Sequence, residues 1–421
     1  MLGLRRGLAI VTTPSETAIN PGHLKIDLAL RGARVDPSAR SHLRLLEPTD
    51  VDRPAHDIEL VLPEDVWVSV PVDDELAALS PYVLSERDDT VVLEKDGARF
   101  DVRLVPPPDF YRAVTSRGTP MWKIGRVYGS FLAINPDGAC GHSVRGSACS
   151  SCLGGSIETP ESVFAPTVDE VAEVVRAAFA EGAAEFVYFN LGYTGTEDAG
   201  ILFLEPYIRA VKRNFDTVVA LQLHPPAHDR WINHSYAIGV DALNYSLEVN
   251  DPDILEQVFP GRAQRIGRAR YYEALRHAAA IFPRGTVWSE LIVGFEPLDS
   301  TLRGIDALTA IGVLPVLSLS RQTPGAPVSQ ELPLAEIAPV YEHLFHAVRK
   351  ARVNMGWVRD LSFAITPLEA RFFAGNDARV SVALQQFYRS RLGNLAARNL
   401  SRLRRRLRVR RVSDSFDSSH L

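Results

Sequence analysis

From Tyr128 onward the chain alternates short apolar runs with longer amphipathic stretches six times, and this alternation restricts its fold more than any other feature. A strand followed by a helix brings the chain back to the same end of a sheet, so successive units lay their strands parallel. Strand candidates fall at 130–134, 186–191, 218–223, 242–249, 287–293 and 313–318. The helix that follows the first strand and its long loop opens on Thr167-Val168-Asp169-Glu170, a capping-box pattern, and Val171, Val174, Val175 and Phe179 recur at helical spacing. Six strands fall short of the eight of a closed barrel. The expected fold class is therefore α/β: a partial (βα)6 TIM-like barrel with a small β-rich N-terminal region and a C-terminal helical extension.

The flanks read differently. Ile58-Glu59-Leu60-Val61-Leu62, Val66-Trp67-Val68-Ser69-Val70 and Thr90-Val91-Val92-Leu93-Glu94-Lys95 have strand composition, and Asp96-Gly97 after the last is a hairpin turn. Pro106-Pro107-Pro108 ends this β-rich region, since proline donates nothing to a sheet ladder. The expected organisation is a β-rich region over 1–118, the partial barrel over 119–330, an α/β extension over 331–388 that begins with a helix near 329–352, and an Arg-rich amphipathic tail over 389–421.

Charge narrows the partners. The net charge is −5, yet ten arginines and no acidic residue lie between Arg389 and Arg411. Leu392, Ala396, Leu400, Leu403 and Leu407 line one side of that stretch, a basic amphipathic helix that can lie on an anionic membrane surface or pack on the acidic body. An acidic body argues against nucleic-acid binding. The basic start, Met1-Leu2-Gly3-Leu4-Arg5-Arg6, lacks a convincing cleavage site, and no apolar run approaches the roughly 18–20 residues needed to cross a bilayer. A cytoplasmic protein with reduced thiols is expected.

Its three cysteines are clustered as Cys140-Gly-His-Ser-Val-Arg-Gly-Ser-Ala-Cys149-Ser-Ser-Cys152, a C-x8-C-x2-C loop that follows the first strand. Clustered thiols without a disulfide role point to a metal. Thiolates are the usual ligands of iron-sulfur clusters, and Gly141, Gly146, Gly154 and Gly155 allow a tight curl around a bulky cage. Three ligands for four irons leave one iron open to a small molecule. Zinc is the competing reading, as a Cys3His site completed by His142 or His224 in a binding or scaffold protein.

The cysteine loop after the first strand resembles that of the radical S-adenosylmethionine superfamily, with a longer first gap than the usual C-x3-C-x2-C. The loop after the second strand, Asn190-Leu191-Gly192-Tyr193-Thr194-Gly195-Thr196-Glu197, is similar to the family's Gly-Gly-Glu turn for the cofactor's amino group, carried by Gly192 and Gly195. The fourth strand alternates Asn244, Ser246, Glu248 and Asn250, and in the family this strand binds ribose hydroxyls and the methionine part, which assigns Ser246 and Glu248. Ile292 and Gly294 match the family's adenine-flanking strand, whose leading glycine is Glu290 here. Arg268 and Arg270 are read as solvated or as partners of a cofactor carboxylate. The resemblance implies a [4Fe-4S] cluster on Cys140, Cys149 and Cys152, S-adenosyl-L-methionine as cofactor, a small-molecule substrate, and an electron donor such as a flavodoxin or ferredoxin.

Overall fold

The computed structural model describes residues 20–40, 57–137, 140–144, 165–319, 332–355, 358 and 360–375. Cys149, Cys152 and the Arg-rich tail lie outside the described residues.

The large sheet has seven strands: β1 (Gly125–Tyr128), β2 (Phe131–Ile134), β3 (Phe186–Asn190), β4 (Val218–Gln222), β5 (Ala242–Asn244), β6 (Val287–Val293) and β7 (Leu314–Leu319). They stand in sequence order, with β2 to β7 parallel and β1 turned back antiparallel on β2. All six expected parallel strands are present, in a curled α/β half-barrel. The fourth is shorter than its sequence suggests: the ladder stops at Asn244, and Glu248 rejoins it through a single parallel bridge to Leu291. In the gap, side chains of other elements take the backbone groups: the Leu247 N–H donates to Ser289 Oγ at 3.0 Å, and the Ser246 carbonyl accepts from Arg262 Nη1 at 3.4 Å.

Helices return each strand to the next: α1 (Val168–Ala180) between β2 and β3, α2 (Ile201–Asn214) between β3 and β4, and α3 (Asp229–Ile238) between β4 and β5. Between β5 and β6 come α4 (Pro252–Val258), α5 (Pro260–Arg265) and α6 (Arg268–Ile281), and α7 (Leu298–Ala310) precedes β7. The capping box at Thr167 and Glu170 forms with both of its bonds. One core runs the length of the sheet, from Phe131 through Val187, Leu221, Leu243 and Leu291 to Leu317.

The N-terminal strands form two small sheets, Asp57–Leu62 with Val66–Pro71 and Arg103–Val105, and Arg34–Val35 with Val83–Arg87, Thr90–Lys95 and Ala98–Phe100. The expected hairpin turns at Asp96 (φ 52°) and Gly97 (φ 79°), the two left-handed residues that such a turn needs.

A half-barrel has two open edges, and this chain joins them with its own segments. Residues 360–375 run from the β1–β2 turn to β7. Gly129 sits so close to the Asp360 carbonyl that a Cβ there would come within 1.7 Å of it. Farther along, Ile365 and Leu317 exchange backbone hydrogen bonds of 2.7 and 3.0 Å. The helix Pro21–Arg31 packs across this strap, where the buried Lys25 Nζ donates to Leu361 O at 2.7 Å and to Glu369 Oε1 at 2.9 Å. The helix expected near 329–352 forms as Leu334–Lys350.

Candidate active site at the cysteine loop

Parallel strands place their C-terminal ends and the following loops at one rim, where ligands of such folds bind. Cys140 emerges there after β2. The Tyr193 N–H points at Cys140 Sγ over 3.4 Å, and the Gly141 N–H donates to the Tyr193 carbonyl at 2.7 Å. The cysteine loop is thus pinned to the loop after β3. Only glycine fits at 141, since a Cβ would lie 2.5 Å from the Tyr193 oxygen.

Around this anchor lies a box of rings. His142, fully buried, stacks on Tyr193 with centroids 4.2 Å apart and meets His224 edge-on at 5.3 Å. The Arg265 guanidinium lies 5.6 Å from the Tyr193 ring centre, with Nη1 3.3 Å from His142 Nδ1. A guanidinium can only donate, so Nδ1 accepts and the neutral ring carries its proton on Nε2. His224 is held through Nδ1 to the Tyr271 hydroxyl at 2.8 Å. Burial first, then the nearby Arg262 charge, depress its basicity well below that of an ordinary imidazole, so it is neutral.

Inside the barrel the side chains form layers. Phe131, Phe186, Tyr188 and Trp288 make an aromatic floor, with Tyr188 and Trp288 stacked at 6.0 Å. Above it is a closed hydrogen-bonded ring. The Tyr188 hydroxyl donates to Gln222 Oε1 (2.6 Å), Gln222 Nε2 to Ser246 Oγ (3.2 Å), Ser246 Oγ to Asn244 Oδ1 (3.1 Å), and Asn244 Nδ2 back to the Tyr188 oxygen (3.3 Å). Asn190 adds a bond to Gln222 Oε1 at 3.1 Å. Ser246 is therefore tied to its neighbours, and it keeps one acceptor lone pair in reserve.

Glu248 is different. Its backbone has φ 69°, a left-handed conformation costly for a residue with a Cβ. Two backbone bonds of 2.8 Å hold it there, from Glu248 N–H to the Glu290 carbonyl and from Ile292 N–H to the Glu248 carbonyl. Its carboxylate pairs with Arg262 Nη1 at 2.7 Å. Beside it, Glu290 faces inward and takes a hydrogen bond from Ser318. Burial, reinforced by the Glu248 charge, pushes the Glu290 carboxyl up to about 7.

The other expected residues fall into two groups. Gly294, with φ 106°, makes the turn at the end of β6, and Ile292 packs on the small apolar cluster of Val249, Leu255, Val258, Phe259 and Phe295. Gly192 and Gly195 lie in the loop beyond β3, where Gly195 has φ 78°. Glu197 from the same loop is exposed, with Arg230 3.8 Å away. Asn250 serves the scaffold: it receives bonds from Arg268 (2.6 Å) and the Tyr272 hydroxyl (2.9 Å) and donates to the Ser300 carbonyl (3.1 Å). Arg268 and Arg270 are not solvated, since Arg270 bonds to the Pro226 carbonyl at 2.9 Å and to Asp229 at 2.7 Å. The arginines that face the site are Arg262 and Arg265, both on α5. Their signal in the sequence was weak, because a six-residue helix carries no periodicity that separates an inner from an outer face.

No family model matches the chain. A stretch of 110 residues is 28% identical to bacteriochlorophyllide c C-7(1)-hydroxylase of Chlorobaculum limnaeum, covering 26% of this chain and 27% of that protein. The match thus spans about a quarter of the relative's length. Among solved structures, the FeFe-hydrogenase maturase HydG of Carboxydothermus hydrogenoformans has a TM-score of 0.40 at 15% identity, covering 52% of this chain and 51% of its own. Methylornithine synthase (PylB) has a TM-score of 0.42 at 13% identity, over 53% of this chain and 63% of its own. A radical SAM methyltransferase from Sphaerobacter thermophilus has 0.39 at 14%, over 68% and 81%. One of these similar structures is a radical SAM methyltransferase, of the superfamily that the cysteine loop and strand-end motifs resemble.

Proposed function

We propose that the protein is a radical S-adenosylmethionine enzyme acting on a small molecule held in the half-barrel. The supporting observation is the position of Cys140, at the rim after the first parallel strand, with its sulfur already facing an N–H from the next loop. Cys140, Cys149 and Cys152 would hold a [4Fe-4S] cluster. With S-adenosylmethionine bound and an electron donor such as a flavodoxin or ferredoxin, that cluster would supply radical chemistry able to take hydrogen from an unactivated carbon. The chain's own residues bind and position. Gly192 and Gly195 leave room beside the cysteine loop, Ser246 and Glu248 offer acceptors for hydroxyl and amino groups, and Ile292 with Gly294 gives a flat apolar wall. The aromatic floor below excludes water from the reacting carbon.

In this reading 119–330 is the catalytic unit, flanked by 1–118, 331–388 and 389–421, and the stretch 389–411 gives it a peripheral hold on anionic membranes. A zinc site would need His142 or His224. Arg265 opposes that at His142, where one nitrogen accepts its N–H and the other carries the proton. Anaerobic purification and reconstitution should yield a brown protein with about four irons per chain. Dithionite and S-adenosylmethionine should then release 5′-deoxyadenosine. Stoichiometric zinc without iron uptake would overturn the proposal.

A further inference from the structure

We infer that Glu290 is the anionic contact for a cationic, amine-bearing group of the substrate, which the barrel interior selects over neutral analogues. The inference rests on the reading that the half-barrel binds the substrate.

The position comes first. Trp288, Glu290 and Ile292 alternate along β6, and strand residues two apart share a face. Ile292 lies toward the rim with Gly294. Glu290 lies one step deeper, with Trp288 and its stacking partner Tyr188 beneath it. A ligand that touches Glu290 must therefore reach past the rim to the aromatic floor. A buried carboxylate at that depth recognises an ammonium through its charge.

The charge count comes next. Four titratable or charged groups define the electrostatics here: Glu290 on β6, Glu248 beyond β5, Arg262 on α5 and Tyr188 on β3. Arg262 is engaged with Glu248 at 2.7 Å, and it acts on Glu290 across space rather than by contact. Burial keeps the Tyr188 phenol neutral. Around Glu290, two carboxylates thus share one guanidinium, since Arg265 is turned to His142, and this corner of the interior is one positive charge short when both are ionised. The protein meets the deficit with a proton, and Glu290 holds that proton up to about pH 7. A ligand cation would displace the proton and complete the pair, because an opposite charge within a few ångströms favours the ionised carboxylate. A neutral analogue of the same shape offers no such exchange.

The test uses full-length reconstituted protein and equilibrium dialysis with two probes matched in shape, phenethylamine and phenethyl alcohol. Wild type should bind the amine at least tenfold more tightly at pH 8. The preference should shrink toward parity at pH 6, because the carboxyl regains its proton while the amine, with a pKa of about 10, stays charged. Glu290→Gln should abolish the preference and its pH dependence, and Glu290→Asp should restore part of both, with unchanged melting temperatures showing that the variants fold. Equal binding of the two probes by wild type, or a preference that survives in Glu290→Gln, would overturn the inference. A parallel arm measures binding of S-adenosylmethionine and of S-adenosylhomocysteine, which keeps the ammonium but not the sulfonium, to wild type and Glu290→Gln. If the variant weakens either, the cation is the cofactor's and the substrate assignment fails. Failure of the radical reading would appear separately, as absence of iron uptake by wild type.

Discussion

Replacing Lys25 by methionine should loosen the join between the half-barrel's two edges, and the damage should grow with pH. Lys25 is 1% exposed and Glu369 is 7% exposed, and their contact of 2.9 Å lies where the helix Pro21–Arg31 meets the strap 360–375. Methionine keeps most of the volume but removes the ammonium, along with its bond to the Leu361 carbonyl. Breaking a buried pair by deleting one partner typically costs about 3–5 kcal/mol, a large part of the roughly 5–15 kcal/mol that holds a domain folded. The sign with pH follows from Glu369. Burial raises its carboxyl above the ordinary value, and Lys25 is the main influence holding it down. Without Lys25 the folded-state value climbs further. A carboxyl raised on folding contributes stability that is present below its unfolded value and lost as pH rises through the folded one. The Lys25→Met penalty should therefore be smaller at pH 5.5 than at pH 8, with a slope of at most about 1.4 kcal/mol per pH unit for one proton. Urea midpoints at the two pH values report the global loss. Hydrogen exchange over 21–31 and 361–373 reports whether opening starts at the join. The double variant Lys25→Met, Glu369→Leu should recover part of the stability, since the orphaned Glu369 charge is gone while Thr366 loses its acceptor. A single variant within about 1 kcal/mol of wild type at pH 8, where deleting a buried partner should cost 3 or more, would refute this reasoning. So would a double variant as weak as the single.

Three further outcomes follow from named contacts. Gly141→Ala should release the cysteine loop from Tyr193 and lower iron loading after reconstitution by more than half, while secondary structure by circular dichroism stays unchanged; full loading would separate this anchor from the metal site. Asn250→Ala strips partners from Arg268, Tyr272 and Ser300 together and should cost about 2–3 kcal/mol in denaturant unfolding, because buried polar groups lose their bonds. Glu59 bonds to Ser362 and is pushed up to about 7 by burial, so it weakens the fold as pH rises from the ordinary carboxylate range through 7; Glu59→Gln should flatten that decline, and an unchanged slope would assign it to other groups.

The parts of this molecule legible in the sequence are those written in periodicity. Strands such as 287–293 and the capping box at Thr167 and Glu170 could be read because alternation and cap chemistry are local. The fourth strand misled by its length: residues 242–249 alternate as a strand does, yet Ser246 and Glu248 bond sideways and the ladder ends at Asn244. What could not be read is what needs three dimensions. Nothing local pairs Lys25 with Glu369, 344 residues away, or sets Arg265 against His142, 123 residues away. The C-x8-C-x2-C spacing was visible, but the seat for Cys140 is built by Tyr193, whose role is to offer its backbone, and backbone groups leave no mark in a sequence.

The polar interior divides into two halves with opposite physics. On the side of β3, β4 and β5, the ring of Tyr188, Gln222, Ser246 and Asn244 passes its hydrogen bonds from one member to the next and closes on itself. Such a ring gains from cooperativity and would lose it if a ligand broke one bond, so it holds strands in place rather than exchanging partners. On the side of β5, β6 and β7, one guanidinium faces two carboxylates, a glutamate is held at φ 69°, and a half-buried acid takes up a proton near neutrality. Strain and missing charge of this kind persist where a ligand is expected to supply the remainder. On the inference that Glu290 selects a cation, the first half sets the geometry against which the second selects. If the division is correct, Gln222→Leu should lower stability and weaken both matched probes alike, whereas Glu290→Gln should change their ratio with little change in melting temperature.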